Sequence, residues 1–133
     1  MHYRYYKIQI RSFFRQIIIG IKNLIKWAPT IWRDRDFDHA FLEYMMHKKM
    51  VNMYNFFISE DAVTNWDTAE GQKALKALKI CITILERRNN SFYVDLVDDD
   101  MSFKQLDMIY NVEARDEKIL GALIGKYISW WWD

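Results

Sequence analysis

Four glycines and one proline among 133 residues are too few for the many tight turns of a β-sandwich or barrel. Long helices with few connections are what such a chain can build, so the expected class is all-α. The single Cys81 cannot close an intramolecular disulfide, and its setting, "KICITIL", is apolar. It reads as a buried structural thiol in a reducing compartment. No apolar run approaches the roughly 20 residues that a spanning helix needs. "IIIGI" is short, Lys22 interrupts it, and no small-residue cleavage site follows, so it does not read as a secretory signal. The expectation is a cytoplasmic protein. Nucleophile elbow, Gly-rich phosphate loop and Cys/His zinc spacing are all missing from the sequence, which therefore predicts neither catalysis nor a cofactor.

Acidic residues are absent from the first 33 positions, which hold Arg4, Lys7, Arg11, Arg15, Lys22, Lys26 and Arg33. The remaining hundred carry 12 basic and all 18 acidic residues, a balance of −6 beneath an overall charge of +1. A basic end on an acidic body suits anionic ligands, or one subunit's end docking on another's body.

What the chain does contain is aromatic and charged in unusual combination: 17% aromatic with six Trp, and 28% charged. That composition and length predict one domain over residues 1–133, a bundle of about four main helices. The first spans about 3–28. On a wheel of about 100° per residue, Arg4, Lys7, Arg11, Arg15, Lys22 and Lys26 fall within about 100° of arc. Most large apolar residues, from Tyr6 and Ile10 to Leu24 and Ile25, lie opposite. The result is a long basic amphipathic helix whose cationic stripe runs on the order of 33 Å. Pro29 is expected to end it. A second helix should start near Asp34 to Asp38 and run to about Ile58. A third, capped by Asp67 or Thr68, spans about 68–88 and stops at Asn89 and Asn90. A last helix covers about 114–130. Residues 91–113 read as a short helix, an acidic loop, or both.

Residues 31–38, "IWRDRDFD", set two large aromatics among charges of alternating sign. Asp34 and Asp36 suit helix capping. Arg33 and Arg35 are forks that fit phosphate, and the faces of Trp32 and Phe37 fit flat rings. The wheel of the second helix places Asp38 and Lys49 within an apolar arc, about 16 Å apart along the axis. Neither can satisfy the other, so each calls for a partner: an interhelical salt bridge or a ligand in a polar pocket. His39, Glu43 and His47 share one side but diverge too far for a metal site, and read as an exposed hydrophilic face. "VDDDM" reads as a solvated loop, and "GALIG" would permit a close helix approach.

The cationic stripe has three readings: a solvated face, a contact with an anionic membrane surface through residues 3–28, or a contact with phosphates or nucleic acid. The acidic body opposes extended duplex binding, so nucleic acid is not an expected partner.

Taken together, "IKWAPTIWRDRDFDHAFLEYMMHKKM", "KALKICITILERR" and "RDEKILGALIGKYISWWWD" resemble a family of small, mostly uncharacterised tailed-phage proteins. That family shares a Trp-rich segment ending in a basic-Asp-Arg-Asp-aromatic-Asp run, a Lys-containing helix after it and a terminal Trp-Trp-Asp. The matching positions are Trp27, Pro29, Trp32, Asp34, Arg35, Asp36, Asp38, Lys49, Lys79, Trp131, Trp132 and Asp133. Phe37 stands where the family usually has Trp, and Trp130 is additional. The resemblance implies a phage accessory protein made in the bacterial host's cytoplasm. In such proteins, sequestration of a cyclic or ADP-ribose-derived signal nucleotide is one strategy against host defence.

The expectation is therefore an oligomeric protein that holds a small phosphorylated ligand without chemistry. Arg33, Arg35 and Lys49 would meet phosphates, and Trp32 or Phe37 would stack on a ring. Asp38, with Asp36 beside it, would hydrogen-bond a ribose or base edge, while Trp131, Trp132 and Asp133 close the pocket. The competing expectation is a non-enzymatic helical adaptor docking on a host protein or the inner membrane surface.

Overall fold

The computed structural model describes residues 2–34 and 39–131, with side chains from residue 11 onward. The described residues form helices and no strand, the all-α class that the sequence predicts. Four of the helices are long: α1 (His2–Ile31), α2 (His39–Phe57), α3 (Ala69–Asn89) and α5 (Phe103–Tyr127). Between the last two lies the single turn α4 (Phe92–Asp95), and a 3-10 turn (Ile128–Trp130) follows α5. Contacts divide the chain into two compact units, Met1–Asp38 and His39–Asp133.

The first unit is α1. It runs through Pro29 to Ile31, past the stop expected at that proline. Pro29 has no amide to donate to the Ile25 carbonyl and its ring crowds that group, but only two helical residues follow it. The amide of Trp32 still donates to the Ala28 carbonyl at 2.9 Å.

In the second unit α3 is the central element, packed on both α2 and α5. Ala74, Leu75, Ala77, Leu78, Cys81, Ile84 and Leu85 are all buried. They cover about half the helix circumference, as contact with two neighbours requires. Thr68 caps the helix, its side chain accepting from the Gly71 amide at 3.1 Å. Asn90 closes it, and Ser91, at φ 57°, turns the chain toward α4. The thiol of Cys81 is fully buried, as expected, and burial pushes it up to about 11.

Packing on α3 fixes the phase of α2. Met46, Met50, Met53, Tyr54 and Phe57 face the core, and Phe57 lies against Trp66 with ring centroids 4.4 Å apart. Lys49 is exposed, as are Leu42, Tyr44 and Phe56, so of the arc expected to face the core only the edge with Met46 and Met53 does so. The reason is physical. α2 carries apolar side chains around most of its circumference, so its wheel has no sharp apolar centre, and α3 decides which part is buried.

α5 begins at Phe103, eleven residues before the expected start. Ser102 and Gln105 form a reciprocal capping box: the Gln105 amide donates to the Ser102 side chain, and the Ser102 amide donates to Gln105 Oε1 at 3.0 Å. Residues 91–113 thus contain a short helix, an acidic loop and the first turns of α5. Leu120, Leu123, Ile124 and Tyr127 bring α5 onto the core. "GALIG" makes no close helix contact, because Gly121 and Gly125 are exposed and open to solvent.

The glycines generate a paired prediction. A Cβ on Gly71 would sit 2.8 Å from the Trp66 carbonyl oxygen, whereas one on Gly121 meets nothing within 4 Å. Gly121→Ala should stabilise the fold by about 0.5–1 kcal/mol through helix propensity. Gly71→Ala should destabilise it by about 1–3 kcal/mol through overpacking. Urea unfolding of the two variants checks both signs.

Candidate functional site

From Phe13 to Ile25 the large apolar side chains of α1 are exposed, among them Phe14, Ile17, Ile21, Leu24 and Ile25, the last two at 68% and 70%. Arg11, Arg15, Lys22 and Lys26 are exposed on the opposite side. Leu24, Ala28, Ile31 and Trp32 line a shallow apolar depression at the C-terminal end of the helix. Trp32 is 88% exposed, and the Arg33 amide beside it donates to the Thr30 carbonyl at 3.3 Å. An unburied apolar arc of this length is unusual in a folded protein.

The residues expected to form a ligand pocket divide between the two units. Trp32 and Arg33 lie at the end of α1, whereas Lys49 is exposed on α2. Trp131, expected to close the pocket, is buried against α3 and donates its Nε1–H to the Ala74 carbonyl at 2.9 Å. A buried indole both fills core volume and needs an acceptor, and the start of α3 supplies both. Arg35, Asp36, Phe37, Asp38, Trp132 and Asp133 lie outside the described residues.

Two ion-pair systems that the sequence did not single out hold the second unit together. Arg88 donates from Nε and Nη2 to the two Glu43 carboxylate oxygens, each at 2.8 Å. This bidentate pair ties α3 to α2, and Glu113 on α5 lies 3.8 Å from the same guanidinium. The hydrogen bonds that Arg88 donates to Glu43 raise its pKa further. Glu43 is thus half-buried and paired, not part of a fully exposed hydrophilic face.

The second system centres on Asp116, a carboxylate only 3% exposed. Tyr93 donates its hydroxyl to Asp116 Oδ2 at 2.7 Å, and Arg87 Nη1 donates to the same oxygen at 3.0 Å. Arg115 Nη2 reaches Oδ1 at 3.3 Å. Burial pushes the Asp116 carboxyl up, but the hydrogen bonds from Tyr93, Arg115 and Arg87 outweigh it and hold the group below its ordinary value. Burial, then the neighbouring carboxylate, pushes the Tyr93 hydroxyl up to about 12. A sequence signal for this cluster existed. Asp116 stands four residues before Leu120, on the same stripe as Ile124 and Tyr127, so a carboxylate was bound for the interior.

Beside this cluster, Lys76, Lys79, Thr83 and Arg87 edge a groove of about 410 Å³ between α3 and α5. No group of three or more His, Cys, Asp or Glu side chains among the described residues is placed to hold a metal ion. No described helix is long and apolar enough to cross a membrane. No family model, curated protein or solved structure matches the chain. Its function is therefore argued from these surfaces alone.

The Asp116 cluster sets a pH dependence. A carboxylate held below its unfolded value of 3.8 contributes stability above that pH, which is lost as pH falls through the folded value. At pH 7, Asp116→Asn should cost about 1–3 kcal/mol, and its difference from wild type should shrink as pH drops below 4. Tyr93, raised from 10.0 to about 12, contributes stability that is complete below pH 10 and lost on rising through 12. Tyr93→Phe should therefore close its gap to wild type across that alkaline window. Denaturant unfolding at graded pH reads both trends.

Proposed function

We propose that the protein is a non-enzymatic helical docking module that seats α1 on an anionic membrane surface, with α2 to α5 as its folded payload. One observation carries this reading: from Phe13 to Ile25 the apolar arc of α1 is exposed opposite a basic stripe, in a segment without a single acidic residue. Helices of this kind lie in the plane of the headgroups, burying the apolar side while Lys and Arg meet anionic lipid. Trp32, at the end of the helix, is a residue type suited to the interface between headgroup and acyl chain.

Each basic residue near an anionic surface contributes about 1 kcal/mol. The full chain should float with vesicles containing phosphatidylglycerol, and the bound fraction should fall with salt and with the removal of anionic lipid. Lys22→Glu with Lys26→Glu should weaken binding by at least roughly thirtyfold. Leu24→Ser, which leaves the charge unaltered, should weaken it without changing the salt dependence. Flotation that ignores lipid charge, or no flotation at all, would sink the reading. Concentration-dependent association without lipid would point to a homo-oligomer that covers the same arc.

A second reading is favoured by the exposed Trp32 beside Arg33, a flat ring next to a phosphate-binding fork. In it the protein sequesters a small phosphorylated ligand, such as a bacterial immune signal nucleotide, on behalf of a phage. A protein of that kind stays in solution whatever the lipid charge. Thermal unfolding against cyclic dinucleotides and ADP-ribose derivatives tests it. A ligand at a hundredfold above its Kd should stabilise the fold by about 2.7 kcal/mol, and the ligand should be recovered unchanged.

A further inference from the structure

The groove between α3 and α5 joins three features that are separate elsewhere on the surface. Lys76 and Lys79 stand one helical turn apart at one end, and Arg87 edges the groove about 12 Å further along α3. Ile80, Ile84 and Ile119 provide an apolar floor between them. Arg87 is fixed in place, with Nη1 on Asp116 and its guanidinium carbon 5.4 Å from the centre of the Phe92 ring. Neither Lys76 nor Lys79 forms an ion pair among the described residues.

We infer that this groove binds a nucleoside monophosphate, its phosphate on Lys76 and Lys79, its ring over the isoleucines and its far edge toward Arg87. Charge, shape and length each support the assignment. Three cationic side chains against the one carboxylate of Asp116 leave two positive charges, which match a phosphomonoester dianion. Two ammonium groups on one helix face can grip different phosphate oxygens, each as a compact point charge. A floor of branched aliphatic side chains covers a ring face and excludes water from beneath it. The volume of about 410 Å³ lies within the range of small-molecule sites. Asp116 does not repel the phosphate strongly, because its charge is already met by Arg87, Arg115 and Tyr93.

The inference rests on the phosphorylated-ligand reading for its ligand class, and it places the site on α3 and α5 instead of on Trp32 and Lys49. Titration calorimetry of the full chain with AMP, GMP, CMP and UMP, and separately with inorganic phosphate and adenosine, is the test. At least one nucleotide should bind saturably, and tenfold or more tighter than either phosphate or adenosine. Lys76→Gln with Lys79→Gln should weaken that nucleotide at least tenfold. Both lysines are exposed, so the variant should keep the wild-type circular dichroism spectrum. Lys22→Gln with Lys26→Gln should leave nucleotide affinity unchanged. Nucleotide binding that ignores the first pair but is lost with the second overturns the groove assignment and leaves the ligand class standing. No saturable binding by any of the four overturns the groove assignment, while signal nucleotides of other classes still test the broader reading.

Discussion

The second unit depends on α3 being buried on two sides at once. Ala74, Ala77 and Cys81 are small, and they bring α2 and α5 close enough for Leu78 and Leu85 to lose all contact with solvent. A larger side chain at any of those three buried positions would overpack the core, because close-packed interiors yield little. The polar clamps follow from the same closeness. Arg88 can reach Glu43 on one neighbour and Glu113 on the other only because α3 runs between them.

Asp116 shows how such packing accommodates a charge. A carboxylate in the interior is costly unless its lone pairs are engaged, and here three donors from two other positions on the fold and one adjacent residue engage them. The cluster also orders α4, a four-residue turn too short to hold its own shape, by pinning Tyr93. Its consequence reaches the surface, since Arg87 is held where it edges the α3–α5 groove. A structural ion pair and a candidate binding surface thus share one side chain.

α1 is organised on a different principle. Its apolar arc is exposed over residues 13–25, and at 30 residues the helix is long enough for its backbone hydrogen bonds to propagate. A lipid surface would supply the missing burial on one side and the counter-charge on the other. The separation of charge along the chain, basic in α1 and acidic beyond it, keeps those two tasks on different segments.

Much of this was legible in the residues, and what was legible is local. The stripe of Arg11, Arg15, Lys22 and Lys26, the Thr68 cap and the stop at Asn89 and Asn90 depend only on neighbours a turn away. The capping box of Ser102 and Gln105 was equally readable, and it places the start of α5. Other features had no local answer. α2 is apolar on most sides, so only contact with α3 determines that Met50 turns inward and Lys49 outward. Trp131 offers the same ring to a pocket or a core, and only the carbonyl of Ala74, 57 residues away, settles which by accepting from its indole. The sequence by itself determined where helices form, because backbone hydrogen bonds and caps act over a few residues. Tertiary structure decided which face of each helix is buried and which charges meet, because those depend on partners that the chain brings together only by folding.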